Sequence, residues 1–213
     1  MTPAHYKNVH NGFWSDNSFE ISKSAQKNLS IVADHFSESV YHAKRAISFR
    51  PDKENLKFVN WYSSAHIVAY ISAIDAIRIE VKQKYPDVNF KHTPLGKEFV
   101  ASETSEDPFY KDPLNASHLY RVRRNMRVHL GESIIVFKKS DFLRSKESHF
   151  LFKEIEFKNY EQTRNRRLNK DQIKKYNGDL QMDTIIDVFG RMLGILAENI
   201  EETNKVICNK LSK

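Results

Sequence analysis

Apolar residues recur at steps of three and four along most of this chain, which is the period expected of amphipathic helices. A first helix is predicted from about Asp16 to Phe49, where Arg50-Pro51-Asp52 ends it, because the residue before a proline is disfavoured in the α conformation. The apolar positions that predict its core face are Ile21, Ala25, Leu29, Val32, Phe36, Val40, Ala43 and Ile47.

The second predicted helix, from about Glu54 to Tyr85, is the longest and most apolar element. Residues 86–113 hold four of the six prolines and are expected to form a connector with one short helix near Lys97–Ser102. The core face predicted for the second helix contains Phe58, Trp61, Tyr62, Ala65, Val68, Ala69, Ser72, Ala76 and Ile79.

A third helix is predicted from Pro113 or Asn115 to Leu130, and a last one from about Leu180 to Leu211. Between them, Ser133–Lys138 and Phe150–Phe157 are rich in β-branched and aromatic residues at strand length, which predicts an antiparallel hairpin. We therefore predict one mainly α domain over residues 1–213, a helical bundle with long antiparallel helices, in which 133–178 is an inserted β-hairpin and basic loop. The core face predicted for the last helix is Ile185, Val188 or Phe189, Met192, Leu193, Leu196, Ile200 and Ile207.

The positive charge of the chain is concentrated in one region. Residues 121–175 contain 16 Lys and Arg against 7 Asp and Glu, whereas the remaining residues contain 18 against 20. Such a region attracts a phosphate backbone, and a solvated basic loop is the alternative. The absence of a secretory leader and of a long apolar run, together with a single cysteine, predicts a soluble cytoplasmic protein with no membrane partner.

Several enzyme classes have no signature in the sequence. No Gly-rich phosphate loop and no Gly-x-Ser-x-Gly elbow is present, so nucleotide-hydrolase motors are excluded and serine hydrolases have no support. The nine histidines form no His-x-x-x-His pair, and we expect no metal or other cofactor.

The third helix contains the residues best suited to chemistry. A polar row of side chains at steps of three and four is expected to lie beside a narrow apolar stripe. Histidine transfers protons near neutral pH, and an arginine guanidinium stays charged and matches phosphate oxygens. Because RNA supplies its own 2′-hydroxyl nucleophile, these groups suit RNA cleavage without a metal. The row is His118, Arg121, Asn125 and His129, and the stripe is Leu119, Val122, Met126 and Leu130.

Residues 124–129, Arg-Asn-Met-Arg-Val-His, resemble the Arg-polar-x-x-x-His motif of HEPN (higher eukaryotes and prokaryotes nucleotide-binding) domains, which are helical bundles with this motif on a late helix. The resemblance implies that Arg124 and His129 are catalytic and that Asn125 supports them. It also implies a metal-independent endoribonuclease of phage defence or of a toxin–antitoxin-like system, with RNA as substrate and a cognate antitoxin as a further partner. Arg144 and His149 have the same spacing, but they lie between the candidate strands and serine follows the arginine.

Arg124 and His129 are not expected to converge within one chain, because positions five apart point roughly 140° apart around a straight helix. We therefore predict a homodimer in which two-fold symmetry assembles a composite site. The alternative is a non-catalytic HEPN-like dimeric bundle that binds nucleotide, RNA or a partner protein. Arginines predicted to contact RNA phosphates are Arg121, Arg123, Arg127, Arg164, Arg166 and Arg167.

Three polar residues of the second predicted helix have two interpretations each. Asp75 and Glu80 are either acidic partners near the site or residues with a plain salt-bridge or surface role, and the second interpretation is favoured. His66 falls near the apolar face, which favours a buried histidine with satisfied hydrogen bonds over a metal ligand.

Overall fold

The computed structural model describes residues 19–49, 54–103, 120, 121, 123, 124, 133, 135–137, 155–157 and 185–212. Most of these residues are helical, which confirms the predicted mainly α class. The elements are α1 (Lys23–Asn28), α2 (Ser30–Ser48), α3 (Leu56–Lys84), a short 3-10 helix (Phe90–His92), α4 (Pro94–Glu103), β1 (Ile135–Phe137), β2 (Ile155–Phe157) and α5 (Ile185–Leu211). None of the helices within these residues combines the length and the apolar character needed to cross a membrane.

Helices α2 and α3 form the central antiparallel pair of the bundle. The start of α2 contacts the end of α3, where Ile31 donates to Glu80, and the end of α2 contacts the start of α3, where Phe49 stacks on Phe58. Helix α5 packs against α1, α2 and α4. The predicted boundaries of α3, the short helix after it and α5 are confirmed to within a few residues, except that residues 180–184 lie outside the described part.

The first predicted helix is in fact two helices, α1 and α2, separated at Leu29. Two side chains hold the break, one within α3 and one at the residue that ends it. The Glu80 carboxylate accepts the backbone N–H groups of Ile31 and Val32, and the Tyr85 hydroxyl donates to the carbonyl oxygen of Asn28. These side chains thus replace the backbone bonds that would have continued one helix, a tertiary effect that the periodicity of 16–49 does not contain.

Glu80 is fully buried, yet its carboxylate is well satisfied. Burial alone would raise its pKa, but hydrogen bonds from Lys84, the two backbone N–H groups and the Ser30 hydroxyl lower the pKa below its ordinary value. A negative charge at the N-terminus of α2 is also favoured by the helix dipole. The expectation of a salt bridge for Glu80 is confirmed by its contact with Lys84.

The core faces predicted for α2 and α5 agree with the structure, whereas the face predicted for α3 is only partly correct, since Ala69 and Ala76 of that face are buried. Every core position named for α5 is buried, including Phe189 at 0% exposure. On α3, however, Trp61, Val68 and Ile79 are exposed, and most of the buried apolar residues lie on another side of the helix. Apolar residues occur on most sides of α3, so their spacing along the sequence does not show which side is buried. The buried apolar residues of α3 are Val59, Ile67, Ala69, Tyr70, Ile71, Ala73, Ile74, Ala76, Ile77 and Val81.

Helix α4 is fixed at its N-terminus by side-chain oxygens. Thr93 accepts the N–H of Gly96, and Thr203 of α5 accepts the N–H of Leu95. A side chain at Gly96 would collide with the carbonyl group of Phe90 in the preceding 3-10 helix. Glycine at this position therefore allows the 3-10 helix and α4 to approach closely.

The predicted inserted hairpin is not seen as a complete unit. Strands β1 and β2 pair antiparallel with Val136 opposite Glu156, and the residues that would connect them lie outside the described part. The Asn60 side chain of α3 donates to the carbonyl oxygen of Ile135 at 3.1 Å and accepts its N–H at 2.9 Å. Asn60 thus satisfies both polar groups of a buried strand residue and attaches β1 to the bundle.

Candidate functional site

The predicted motif helix is described at four positions, residues 120, 121, 123 and 124, and all four are helical. We call these positions the 120–124 segment. Tyr120 and Arg123 are buried, whereas Arg121 and Arg124 are partly exposed. The buried residues three apart show which side of the segment faces the bundle.

Tyr120 anchors the segment to α3 through a buried hydrogen-bond network. Its hydroxyl lies 2.8 Å from Nε2 of His66, and Nδ1 of His66 lies 3.0 Å from the carbonyl oxygen of Ser39. A carbonyl oxygen only accepts, so Nδ1 carries the proton and the Tyr120 hydroxyl donates to Nε2. The Ser39 hydroxyl, 2.8 Å from Nδ1, donates to the backbone carbonyl of His66. A neutral His66 therefore satisfies every partner in the network.

The surroundings of His66 keep it neutral. Burial lowers its pKa to about 3, and the Ser39 carbonyl opposes that effect only in part. Burial likewise raises the pKa of Tyr120 well above its ordinary value, so Tyr120 stays a donor. Phe189 of α5 packs on the His66 ring with centroids 4.4 Å apart. The interpretation of His66 as a buried histidine with satisfied hydrogen bonds is confirmed. Its role is to hold the 120–124 segment against α3.

Arg121 provides a second attachment of the segment to α3. Its guanidinium forms a forked ion pair with Asp75, with N–O distances of 2.5 and 3.4 Å. The expected salt bridge at Asp75 is confirmed. The carboxylate balances the charge of Arg121 locally, so the predicted contact of Arg121 with an RNA phosphate stays a prediction and requires a phosphate that competes with Asp75.

Arg123 and Arg124 occupy different environments although they are neighbours. Arg123 is 1% exposed, so an RNA phosphate would have to enter the bundle to reach it, and its role in RNA binding stays a prediction. Arg124 is partly exposed, and its Nε atom is buried and makes no hydrogen bond within the described part of the chain. A buried donor of a charged group without an acceptor is uncommon in folded proteins, because its desolvation is not compensated.

The other proposed site residues lie outside the described residues. Among the described residues, no group of three histidine, cysteine, aspartate or glutamate side chains is arranged to hold a metal ion. Sequence reasoning missed Tyr120 and Ser39, whose roles depend on His66 being buried; the only signal was a polar residue on an apolar face. The site residues outside the described part are Asn125, Arg127, His129, Arg164, Arg166 and Arg167.

Comparison of the chain with protein-family models, with curated proteins and with solved structures finds no match. The resemblance to HEPN domains is therefore carried by the motif residues of the sequence alone.

Proposed function

We propose that this chain is a metal-independent endoribonuclease of HEPN type that acts as a cytoplasmic homodimer in phage defence or in a toxin–antitoxin-like system. In this proposal His129 moves protons at the RNA 2′-hydroxyl or at the leaving oxygen, Arg124 stabilises the phosphate, and the 2′ oxygen attacks the adjacent phosphorus as it loses its proton. The bond from phosphorus to the 5′ oxygen breaks as the bond to the 2′ oxygen forms, and the proton lost at the 2′ oxygen is balanced by one delivered to the 5′ oxygen. The products are a cyclic phosphate and a 5′-hydroxyl.

The observation that carries the proposal is the environment of Arg124. The Tyr120–His66 hydrogen bond and the Arg121–Asp75 ion pair attach the 120–124 segment to α3 at two points. They attach the helical segment that contains Arg124 to α3, and the partly exposed Arg124 has a buried donor with no acceptor in the described part. A cation fixed in advance stabilises the charge of a crowded phosphate better than a mobile one.

The other predicted site residues and the inserted region belong to the same proposal. Asn125 orients the His129 ring, and Arg121, Arg123 and Arg127 contact RNA phosphates. Region 133–178 is an inserted hairpin and basic loop, attached through Asn60, that either recognises substrate or stabilises the dimer. Its basic residues Arg164, Arg166 and Arg167 add phosphate contacts.

The second candidate is a non-catalytic HEPN-like dimeric bundle that binds nucleotide, RNA or a partner protein. The burial of Arg123 favours it, because this arginine of the motif helix lies inside the bundle rather than toward solvent. Under this alternative Arg124 and His129 pack across the dimer interface.

Cleavage of end-labelled RNA in EDTA separates the two candidates. We expect the wild type to produce cyclic phosphate ends, and Arg124→Ala and His129→Ala to abolish them. His149→Ala is the matched control, because Arg144 and His149 reproduce the spacing of the motif outside it, and it should cleave normally. Intact RNA with the wild type, in the presence and absence of cell extract as a source of activators, would favour the binding bundle.

The composite site has its own test. Mixing the Arg124→Ala and His129→Ala proteins after mild unfolding and refolding produces dimers that contain one intact Arg–His pair. Random pairing should restore about a quarter of wild-type activity if each site takes one residue from each chain. No recovery in verified mixed dimers would contradict a site shared between chains.

A further inference from the structure

Six rings form a continuous row where the end of α2 meets the start of α3. Consecutive ring centroids are 5.3 to 5.9 Å apart. Phe49 is stacked between Tyr62 and Phe58, with an interplanar angle of 17° to each. We call this row the aromatic row. In spatial order it contains Tyr41, His42, Tyr62, Phe49, Phe58 and Trp61.

The two ends of the aromatic row are open to solvent. Tyr41 and Trp61 are each 56% exposed, and they are among the most exposed large apolar side chains of the described residues. The inner rings are half-buried and hold the end rings in place. More than half of the Trp61 and Tyr41 side chains stays in contact with solvent. Packing against the core therefore accounts for only a part of each ring.

Cations accompany the rings. The Arg45 guanidinium lies 5.5 Å from the ring centroids of both Phe49 and Tyr62, and the Lys57 ammonium lies 4.9 Å from that of Phe58. Both cations are exposed at the surface. The described residues between 41 and 62 contain three Lys and Arg against one Glu, and a further carboxylate, that of Glu38, lies near His42. The row therefore combines flat apolar surfaces with a positive charge.

We propose that the aromatic row binds single-stranded RNA, with bases stacked on Trp61 and Tyr41 and phosphates held by Arg45 and Lys57. The choice of RNA rests on the proposed function, whereas the site is separate from the motif helix. Aromatic faces accept any base, but only when the base is unstacked, so the surface selects single strands over duplexes. The positive charge favours a nucleic acid over an apolar protein partner.

The test is fluorescence anisotropy with a labelled oligouridylate of about 12 nucleotides and a duplex of the same length, at several salt concentrations. His129→Ala serves as the parent protein, so that the RNA stays intact. Trp61→Leu removes the ring but keeps an apolar side chain, and should weaken binding of the single strand roughly tenfold. Ile79→Ala is the matched control, because Ile79 is 55% exposed on the same helix and has no ring.

Two further measurements make the test specific. Arg45→Gln should lower the slope of log affinity against log salt by about 0.7, the value for one phosphate contact on a single strand. Lys82→Gln, at the other end of α3, should leave the slope unchanged. In a Trp14→Phe background Trp61 is the remaining tryptophan, and stacked bases should quench its emission in step with the anisotropy.

The outcomes separate this surface from the proposed nuclease. Loss of binding in Trp61→Leu supports the aromatic row, whether or not the wild type cleaves RNA. Unchanged binding in Trp61→Leu, equal affinity for duplex and single strand, or no binding by the parent protein would overturn it. A change of oligomeric state in Trp61→Leu with unaltered RNA affinity would overturn it in favour of a protein interface.

Discussion

Two clusters of rings include residues of α3, one against α2 and the other against the 120–124 segment and α5, and they differ in burial, hydrogen bonding and charge. In the inner cluster, His66, Tyr70 and Tyr120 are at most 2% exposed, and the imidazole has a hydrogen-bond partner at both nitrogens. In the outer cluster, the aromatic row, both end rings are more than half exposed and cations lie beside the rings.

One histidine in each cluster shows what the difference means. Burial lowers the pKa of both His66 and His42, and for His42 the nearby Glu38 carboxylate opposes the effect. Nδ1 of His66 donates to Ser39, whereas Nδ1 of His42 is buried with no hydrogen-bond partner in the described part. Satisfied burial indicates a structural role for the inner cluster, and exposed rings with cations indicate an interacting role for the outer one.

The largest expected effect is the loss of the inner histidine. His66→Ala removes a fully buried ring and leaves the buried Tyr120 hydroxyl without the acceptor it has on Nε2 of His66. We expect the free energy of unfolding to fall by about 3 kcal/mol, measured by urea denaturation followed by circular dichroism. His42→Ala is the matched control in the outer cluster and should cost less than about 1 kcal/mol, because no bond to Nδ1 is lost. Equal losses in the two variants would contradict the distinction between the clusters.

The pH dependence of stability is the next largest effect. The pKa of His66 is about 3 in the folded protein, and an unfolded histidine titrates near 6.5. Between these values the unfolded state binds one more proton, so this contribution to stability is complete above about pH 6.5 and decreases as the pH falls. His66→Gln should therefore reduce the slope of unfolding free energy against pH by about 1.4 kcal/mol per unit between about pH 4.5 and 5.5.

Other titrating groups are present in both proteins and cancel in that comparison. If the His66→Gln slope matched that of the wild type, His66 would titrate alike in the folded and unfolded states, and the buried neutral network would be refuted.

The sequence predicted helices better than it predicted which side of them is buried. On α5 polar and charged residues separate the apolar ones at the helical period. Every position predicted to lie in the core is buried there. On α3 apolar residues occur on most sides, so the exposed Trp61 and the buried Ile67 look equally suited to a core. The break at Leu29 depends on Glu80, which is about fifty positions away in sequence, and no local pattern encodes it.

The candidate site was predictable only in part, for a similar reason. The identity of Arg124 and its helical setting follow from residues near it in sequence, and Arg124 is indeed helical. The contacts that attach its helix to α3 are made by His66 and Asp75, which are distant in sequence. Which residues they meet depends on how the two helices pack, and local sequence does not show this. Spacing along one helix shows which side chains share a face, but it does not show what that face meets.

The smallest expected effect is on the stability of the protein when the outer cluster is changed. Trp61→Leu should change the free energy of unfolding by less than about 0.5 kcal/mol, because the ring is 56% exposed and an apolar side chain remains. The measurement is thermal unfolding of the Trp61→Leu protein, compared with the His66→Ala protein under the same conditions. A loss comparable to that of His66→Ala would mean that the aromatic row is a second core of the bundle. Near-neutral stability with weakened binding of single-stranded RNA would separate the two clusters, since only the outer one would then act on a partner.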